Sequence, residues 1–217
     1  MIQEENKLFS KTFFWMFLGL LGTAIVAWYT YSSGLFLHII FNGYFNLLLI
    51  LELVVVLLFS FLFRKLSPTA VGILYFIYSM VNGVSLSTIF AVFELNSITL
   101  LFVVSALLFG GMALYGYKTE KDLASWSTLL YGGLIAGLVV SLINLFLGNA
   151  MIDIILDWVI LIIFLGVTAY DINKIKMLQE YEGIDQDKIH IYGAMQLYLD
   201  FINIFLRVLS IFGKRRD

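Results

Sequence analysis

Two aspartates, Asp171 and Asp200, lie inside the last two long apolar segments of the sequence. An acid in hydrocarbon is costly, so it usually has a partner, a water-filled cavity or a function. Two facing carboxyl groups cannot both ionise cheaply, so they titrate as a pair that holds a proton in acid and loses it as the pH rises. Ionised carboxylates in a wet cavity are also ligands for a hard cation such as Ca²⁺. If their side chains meet, Asp171 and Asp200 are candidates for both a pH sensor and a cation site.

Simpler interpretations of these acids stay open. Asp171 could be a helix-end acid paired with Lys174 or Lys176, and Asp200 could pair with Arg207 for packing alone. The latter two residues are seven positions apart on one predicted helix, which is long for a direct contact. We therefore expect each of these charges to face another helix. If Arg207 lies near the aspartates, it favours their ionised form.

Polar residues in the seventh apolar segment recur every three or four positions, which places them on one helical face. We expect this face to turn away from lipid. Its members are Gly193, Gln196, Asp200, Asn203, Arg207, Ser210 and Lys214.

A similar stripe follows the sixth segment and ends at Asp171. It contains Asp157, Leu161, Phe164, Thr168 and Asp171. Asp157 is about 21 Å from Asp171 along the helix. We interpret Asp157 as an interfacial acid one turn from Asp153 and do not count it among the candidate site residues.

Glu52 stands alone among apolar residues of the second segment, so it must be protonated, paired or hydrated. We consider it a candidate buried or pore-lining acid. Arg64 ends the same helix, either as a cytoplasmic anchor or as a charge partner of Asp171. Polar residues of the third segment could hydrate a path or join helices: Tyr75, Ser79 and Asn82. In the fifth segment, Gly133, Gly137 and Ser141 predict close helix packing.

Composition indicates a polytopic membrane protein. The 217 residues are 61% hydrophobic and 13% charged, against about 45–50% and about 25% in soluble domains. The sequence has no cysteine, which excludes disulfides, thiolate metal sites and cysteine nucleophiles. The net charge of −2 gives no indication of nucleic-acid binding.

Hydropathy predicts an all-α membrane protein in one polytopic domain, residues 1–217. Segments this apolar must satisfy their own backbone hydrogen bonds, which favours helices. The seven predicted spans are residues 12–32, 45–63, 69–92, 98–117, 125–147, 154–174 and 191–212.

The distribution of lysine and arginine predicts a cytoplasmic N-terminus. Basic residues occupy the N-terminus and every second loop up to the sixth span. The tail breaks this pattern, because Lys214, Arg215 and Arg216 would then lie outside. Either the rule fails at the end of the chain, or residues 191–212 are re-entrant. We favour a full span, because the segment is long enough and strongly apolar.

Two motifs carry a resemblance to a known family. Tyr170-Asp-Ile-Asn-Lys-Ile175 ends the sixth span, and Leu197-Tyr-Leu-Asp-Phe-Ile-Asn203 lies in the seventh. Together they resemble the paired motifs of the Bax inhibitor family, especially its small bacterial members. The likeness extends over the whole chain, including Glu52 and the basic residues Arg64 and Lys65.

The resemblance implies seven helices with the seventh at the centre, and a pH-sensitive calcium leak with Asp171 and Asp200 as its sensor. It also implies that an arginine of the second span, matched here to Arg64, latches to Asp171. We accordingly expect a monomer in a bacterial cytoplasmic membrane. Its partners would be lipid, protons and Ca²⁺ as the transported ion, with no resident cofactor and no nucleic acid.

Other function classes fit less well. An intramembrane aspartyl protease needs Gly-x-Gly-Asp and Pro-Ala-Leu motifs, whereas Asp200 follows Leu-Tyr-Leu and the one proline is Pro68. We therefore expect no enzymatic activity. A non-transporting regulator that binds other membrane proteins, such as a protease, stays open. Such a regulator would tolerate the loss of both aspartates.

Overall fold

Helices form almost all of the regular structure in the computed structural model, which describes residues 2–63, 65–179 and 186–216. The helices in chain order are α1 (Ile2–Ser32), α2 (Leu35–Phe41), α3 (Tyr44–Leu62), α4 (Pro68–Leu86), α5 (Ile89–Val92), α6 (Leu95–Lys118), α7 (Ser127–Leu147), α8 (Ala150–Gln179) and α9 (Gln186–Phe212). A short 3-10 turn, Leu123–Trp126, precedes α7.

Seven helical segments in this part of the chain are long and apolar enough to cross a membrane. They are Asn6–Ser32, Tyr44–Leu62, Pro68–Val92, Leu95–Lys118, Leu123–Leu147, Ala150–Leu178 and Lys188–Phe212. The predicted all-α class and the number of spans are confirmed. The seventh span is the most buried of the seven, and its position at the centre of the fold stays a prediction.

Local signals in the sequence set several helix ends. Ser67 caps the start of α4 by accepting a hydrogen bond from the Ala70 amide, and Pro68 occupies the first turn, where its missing N–H costs nothing. Gly148 ends α7 in the left-handed region, at φ 61°. A residue without a Cβ atom adopts this conformation readily, which is why glycine is common after helices.

Contacts divide the chain into two compact units. The first unit contains Met1–Glu94, Gln179–Tyr198 and Arg215–Asp217. The second unit contains Leu95–Leu178 and Leu199–Lys214. The seventh span therefore contributes its first half to the first unit and its second half to the second unit.

The first unit is built on close packing between α1 and α4. A Cβ atom on Gly83 would lie 2.7 Å from the backbone oxygen of Thr23, so the two helices approach at backbone distance. The Tyr75 hydroxyl donates to the backbone oxygen of Trp15 at 3.0 Å, and Thr23 Oγ1 donates to that of Ser79 at 2.9 Å. The polar face of the third span therefore joins helices, which was one of its two predicted uses.

Within the first unit, the residues at the start of the seventh span and those after its end contact opposite ends of α1. At the start of the span, the His190 ring lies 6.2 Å from the Trp15 ring, near the beginning of α1. After its end, the Arg216 amide donates to the Val92 backbone oxygen at 2.9 Å, and the Arg216 guanidinium contacts the Tyr31 ring near the end of α1. The segment therefore does not turn back, and the basic tail lies at the end opposite Lys11.

Glycine contacts also set the distances between helices in the second unit. A Cβ atom on Gly116 of α6 would collide with the backbone oxygen of Ala169 in α8. A Cβ atom on Gly133 of α7 would lie 2.9 Å from the Ile163 side chain of α8. The small-residue face predicted in the fifth span therefore packs against α8, the helix that carries Asp171.

Replacing Gly116 with alanine should destabilise the protein, because the added methyl group has no space against a rigid backbone. Overpacking of this kind costs about 1–3 kcal/mol. The matched control is Gly111→Ala on the same helix, where an added Cβ meets nothing within 4 Å. Thermal unfolding in detergent, followed by size-exclusion chromatography, should show a lower Tm for Gly116→Ala than for the control. Equal Tm values would contradict the tight α6–α8 contact.

Candidate functional site

The carboxyl groups of Asp171 and Asp200 are buried together in the second unit. Asp171 on α8 is 1% exposed and Asp200 on α9 is 3% exposed. The two carboxyl groups are close enough for their charges to interact. In a low-dielectric interior two such charges repel strongly, and the repulsion falls when one of them takes up a proton.

Each of the two carboxyl groups has an oxygen without a hydrogen bond to the described residues. These atoms are Asp171 Oδ1 and Asp200 Oδ2, and both are inaccessible to solvent. A buried polar atom that makes no hydrogen bond costs about 1–3 kcal/mol, more when it is charged. The pair is therefore suited to taking up a proton or a cation.

The residues around Asp171 in the first motif fix the end of α8. The Asn173 side chain accepts a hydrogen bond from the Leu123 amide at 3.2 Å and so anchors the start of the fifth span. The Lys174 ammonium lies 5.7 Å from the centre of the Tyr170 ring, and its charge also acts on Asp171. The alternative that Asp171 is a helix-end acid paired with Lys174 or Lys176 therefore stays open beside its pairing with Asp200.

Aromatic side chains pack around α9 next to Asp200. The Phe201 ring, next to Asp200, makes edge contacts with Phe102 and Phe109 of α6, with ring centres 5.0 and 5.7 Å apart. The apolar face of α9 is therefore covered by protein, as is Asp200 itself. Both faces of this part of α9 are buried, whereas the polar stripe by itself indicated protection of one face.

Arg207 pairs with a residue that the sequence analysis had set aside. Its Nη1 atom lies 2.6 Å from Asp157 Oδ1 on α8, and the Ser210 hydroxyl donates to the other oxygen of Asp157. Asp157 is 8% exposed. Asp157, interpreted above as an interfacial acid, thus has a charge partner within the protein, and Arg207, a candidate charge partner of the aspartate pair, contacts Asp157 instead.

The distance along α9 explains why Arg207 contacts Asp157 and not Asp200. Arg207 is about 10 Å along α9 from Asp200, two helical turns, whereas α8 brings Asp157 directly opposite its guanidinium. The expectation that this charge faces another helix was correct. Arg64, the predicted latch to Asp171, lies outside the described residues, and its role stays a prediction.

Glu52 belongs to a separate polar network in the first unit. Its Oε2 atom accepts a hydrogen bond from the Asn82 amide at 3.3 Å. The Tyr198 hydroxyl donates to Asn82 Oδ1 at 3.0 Å and lies 2.6 Å from Thr23 Oγ1. The hydroxyl of Tyr198 thus connects α1, α4 and α9, and Glu52 has a partner.

Tyr198 stands in the second motif, but the sequence did not indicate a role for its hydroxyl group. The available signal was a hydroxyl in an otherwise apolar helix, two positions before Asp200. A buried hydroxyl of this type requires a hydrogen-bond partner. The partner could not be identified from the sequence, because Thr23 and Asn82 lie on distant spans.

Asp171 and Asp200 alone are too few ligands to complete a calcium site. Within residues 2–63, 65–179 and 186–216, no group of three or more histidines or acids could hold a metal ion. Asp171 and Asp200 together supply four carboxylate oxygens, whereas Ca²⁺ takes six to eight oxygen ligands. Backbone carbonyls or water would have to supply the others.

The fold and site define a class: a multi-pass membrane protein with a pair of buried acids on its last two spans. The family model described as "Inhibitor of apoptosis-promoting Bax1" matches residues 5–217. The chain therefore belongs to the Bax inhibitor family.

Curated relatives agree with this membership. The "Inner membrane protein YbhL" of Escherichia coli K12 is 39% identical over 95% of this chain and 91% of its own length. An uncharacterized protein of Rickettsia prowazekii is 34% identical over 95% and 89%, respectively. One from Borreliella burgdorferi is 34% identical over 98% and 94%. The likeness thus covers nearly the full length of these bacterial proteins.

Breaking the Asp157–Arg207 pair should cost stability. In Asp157→Asn, the guanidinium loses its charged partner, and we expect a loss of about 1–3 kcal/mol because Arg207 is only partly exposed. Glu120→Gln, which removes an exposed carboxylate in the same unit, is the control and should change little. A double-mutant cycle with Arg207→Gln, measured by unfolding in detergent, tests the pair. A coupling energy of zero would contradict a direct interaction.

Removing the Tyr198 hydroxyl should destabilise the first unit. In Tyr198→Phe, Thr23 and Asn82 both lose a buried partner, which should cost about 1–3 kcal/mol. Tyr29→Phe is the control, because that ring is 63% exposed. Thermal unfolding of both variants checks the difference. If Tyr198→Phe unfolds at the wild-type temperature, the network does not stabilise the fold.

Proposed function

We propose that this protein is a pH-sensitive calcium leak channel, gated by protonation of Asp171 and Asp200. Its function is then transport and not catalysis. The observation that carries the proposal is the burial of these two carboxyl groups, on neighbouring helices and within electrostatic range of each other. Membership in the Bax inhibitor family supports it as well.

Two protonation states would favour two helix arrangements. With one shared proton, the pair carries a single negative charge and α8 can pack closely against α9. With both groups ionised, repulsion separates the carboxyl groups or recruits a cation between them. A change in charge at one point thereby shifts the population of two conformations.

Calcium and protons would compete for the same oxygens. The two oxygens without hydrogen bonds, Asp171 Oδ1 and Asp200 Oδ2, are the first ligands that the site offers to an entering cation. A site with few fixed ligands binds a cation weakly, which permits release on the other side. The same groups would in this way sense the pH and contact the transported ion.

Flux measurements over a pH series test the proposal. Asparagine has the shape of a protonated aspartate and cannot ionise. The double variant Asp171→Asn/Asp200→Asn should therefore show the same calcium flux at every pH, equal to the wild-type flux at the acidic end. The assay uses proteoliposomes loaded with a calcium-sensitive dye.

Asp153→Asn is the matched control, since it removes an exposed carboxylate from the same helix. It should retain the wild-type pH response. An unchanged pH response in the double variant would remove the sensor assignment. An absence of flux in the wild-type protein at every pH would instead favour a non-transporting regulator of other membrane proteins.

A further inference from the structure

The first unit has an open groove whose lining residues have no part in the proposed channel function. Its volume is about 620 Å³. Apolar side chains form its walls, chiefly those of Trp15, Ile73 and Phe76, while Lys11 and His190 add basic groups. We call it the entry groove.

The entry groove lies at one membrane boundary. Its residues come from the first three turns of the first, third and seventh spans, which begin at Asn6, Pro68 and Lys188. The contact between the Trp15 and His190 rings shows that two of these beginnings lie at the same end of the unit. Tryptophan is enriched at the level of lipid headgroups. The groove therefore opens where headgroups meet acyl chains.

Charge and polarity together indicate the occupant. Lys11 is exposed, and no acidic side chain lines the groove among the residues that the structure describes. A basic group beside an apolar trough complements an anionic amphiphile, whose phosphate contacts the lysine while its chain lies on aromatic rings. A free phosphate ion would gain nothing from the apolar walls.

A glycine gives the groove part of its depth. A Cβ atom on Gly72 would lie 3.3 Å from the Trp15 ring, closer than ordinary contact, and 3.8 Å from the Ile191 side chain. Any larger residue at position 72 would fill the space between these walls. The groove can therefore be blocked by one substitution at a buried position.

We propose that the entry groove binds an anionic phospholipid, with the phosphate on Lys11 and an acyl chain against Trp15 and Phe76. This site is independent of the carboxyl pair and of the proposed channel activity. Its ligand class is a glycerophospholipid with net negative charge.

Fluorescence quenching by brominated lipids tests the proposal. Trp15 becomes the single reporter after Trp28, Trp126 and Trp158 are each replaced by phenylalanine. The protein is placed in phosphatidylcholine vesicles with equal small fractions of brominated phosphatidylglycerol or brominated phosphatidylcholine. We expect stronger quenching of Trp15 by the brominated phosphatidylglycerol, and Lys11→Gln should reduce this preference roughly fivefold. Equal quenching by both lipids in the unsubstituted groove would overturn the proposal.

Two matched controls distinguish binding in the entry groove from a general attraction of anionic lipids to the protein surface. Lys65→Gln removes an exposed lysine that does not line the groove, and it should leave the preference intact. If it reduces the preference as much as Lys11→Gln does, the membrane surface attracts the lipid and the groove does not select it.

The second control tests whether filling the entry groove prevents lipid binding. Gly72→Leu should lower the phosphatidylglycerol retained in native mass spectra, whereas Gly111→Leu, at a position with open surroundings, should not. Equal retention by the two folded variants would also overturn the proposal. If Gly72→Leu does not fold, the quenching result with Lys11→Gln decides alone.

Discussion

The main constraint on this fold is the free-energy cost of placing ionisable groups in a low-dielectric interior. Asp171 and Asp200 are almost fully buried, and the free energy of that burial has to come from packing around them. Backbone-distance contacts supply part of the packing, for example where Gly116 of α6 meets Ala169 of α8. This glycine lets α6 pack closely against α8, the helix that carries Asp171.

Within the described residues, the seventh span contributes to three clusters of polar side chains. In the second unit, Asp200 meets Asp171, and Arg207 pairs with Asp157. In the first unit, the Tyr198 hydroxyl joins Thr23 and Asn82. A span with this many polar groups would be poorly suited to lipid exposure. Its extensive burial follows from the need to give each group a partner.

Family membership supports the proposed function, but the two rest mainly on different observations. Membership follows from the match over residues 5–217 and from bacterial relatives matched over nearly their full length. The proposed calcium leak depends on one site, the carboxyl pair, and on the chemistry of carboxylates in a confined space. The entry groove rests on neither, because it is defined by the shape and charge of another region.

The sequence alone determined the membrane class, the seven helices and the positions of their acids. Hydropathy and the helical repeat are local properties, so the stripe from Asp157 to Asp171 could be read without coordinates. Only the tertiary structure decided the partners: Arg207 with Asp157, and Tyr198 with Thr23. Each of these pairs joins residues far apart in sequence. Which side chains meet depends on how helices cross and how closely their glycines let them approach, and a helical repeat carries no information about either.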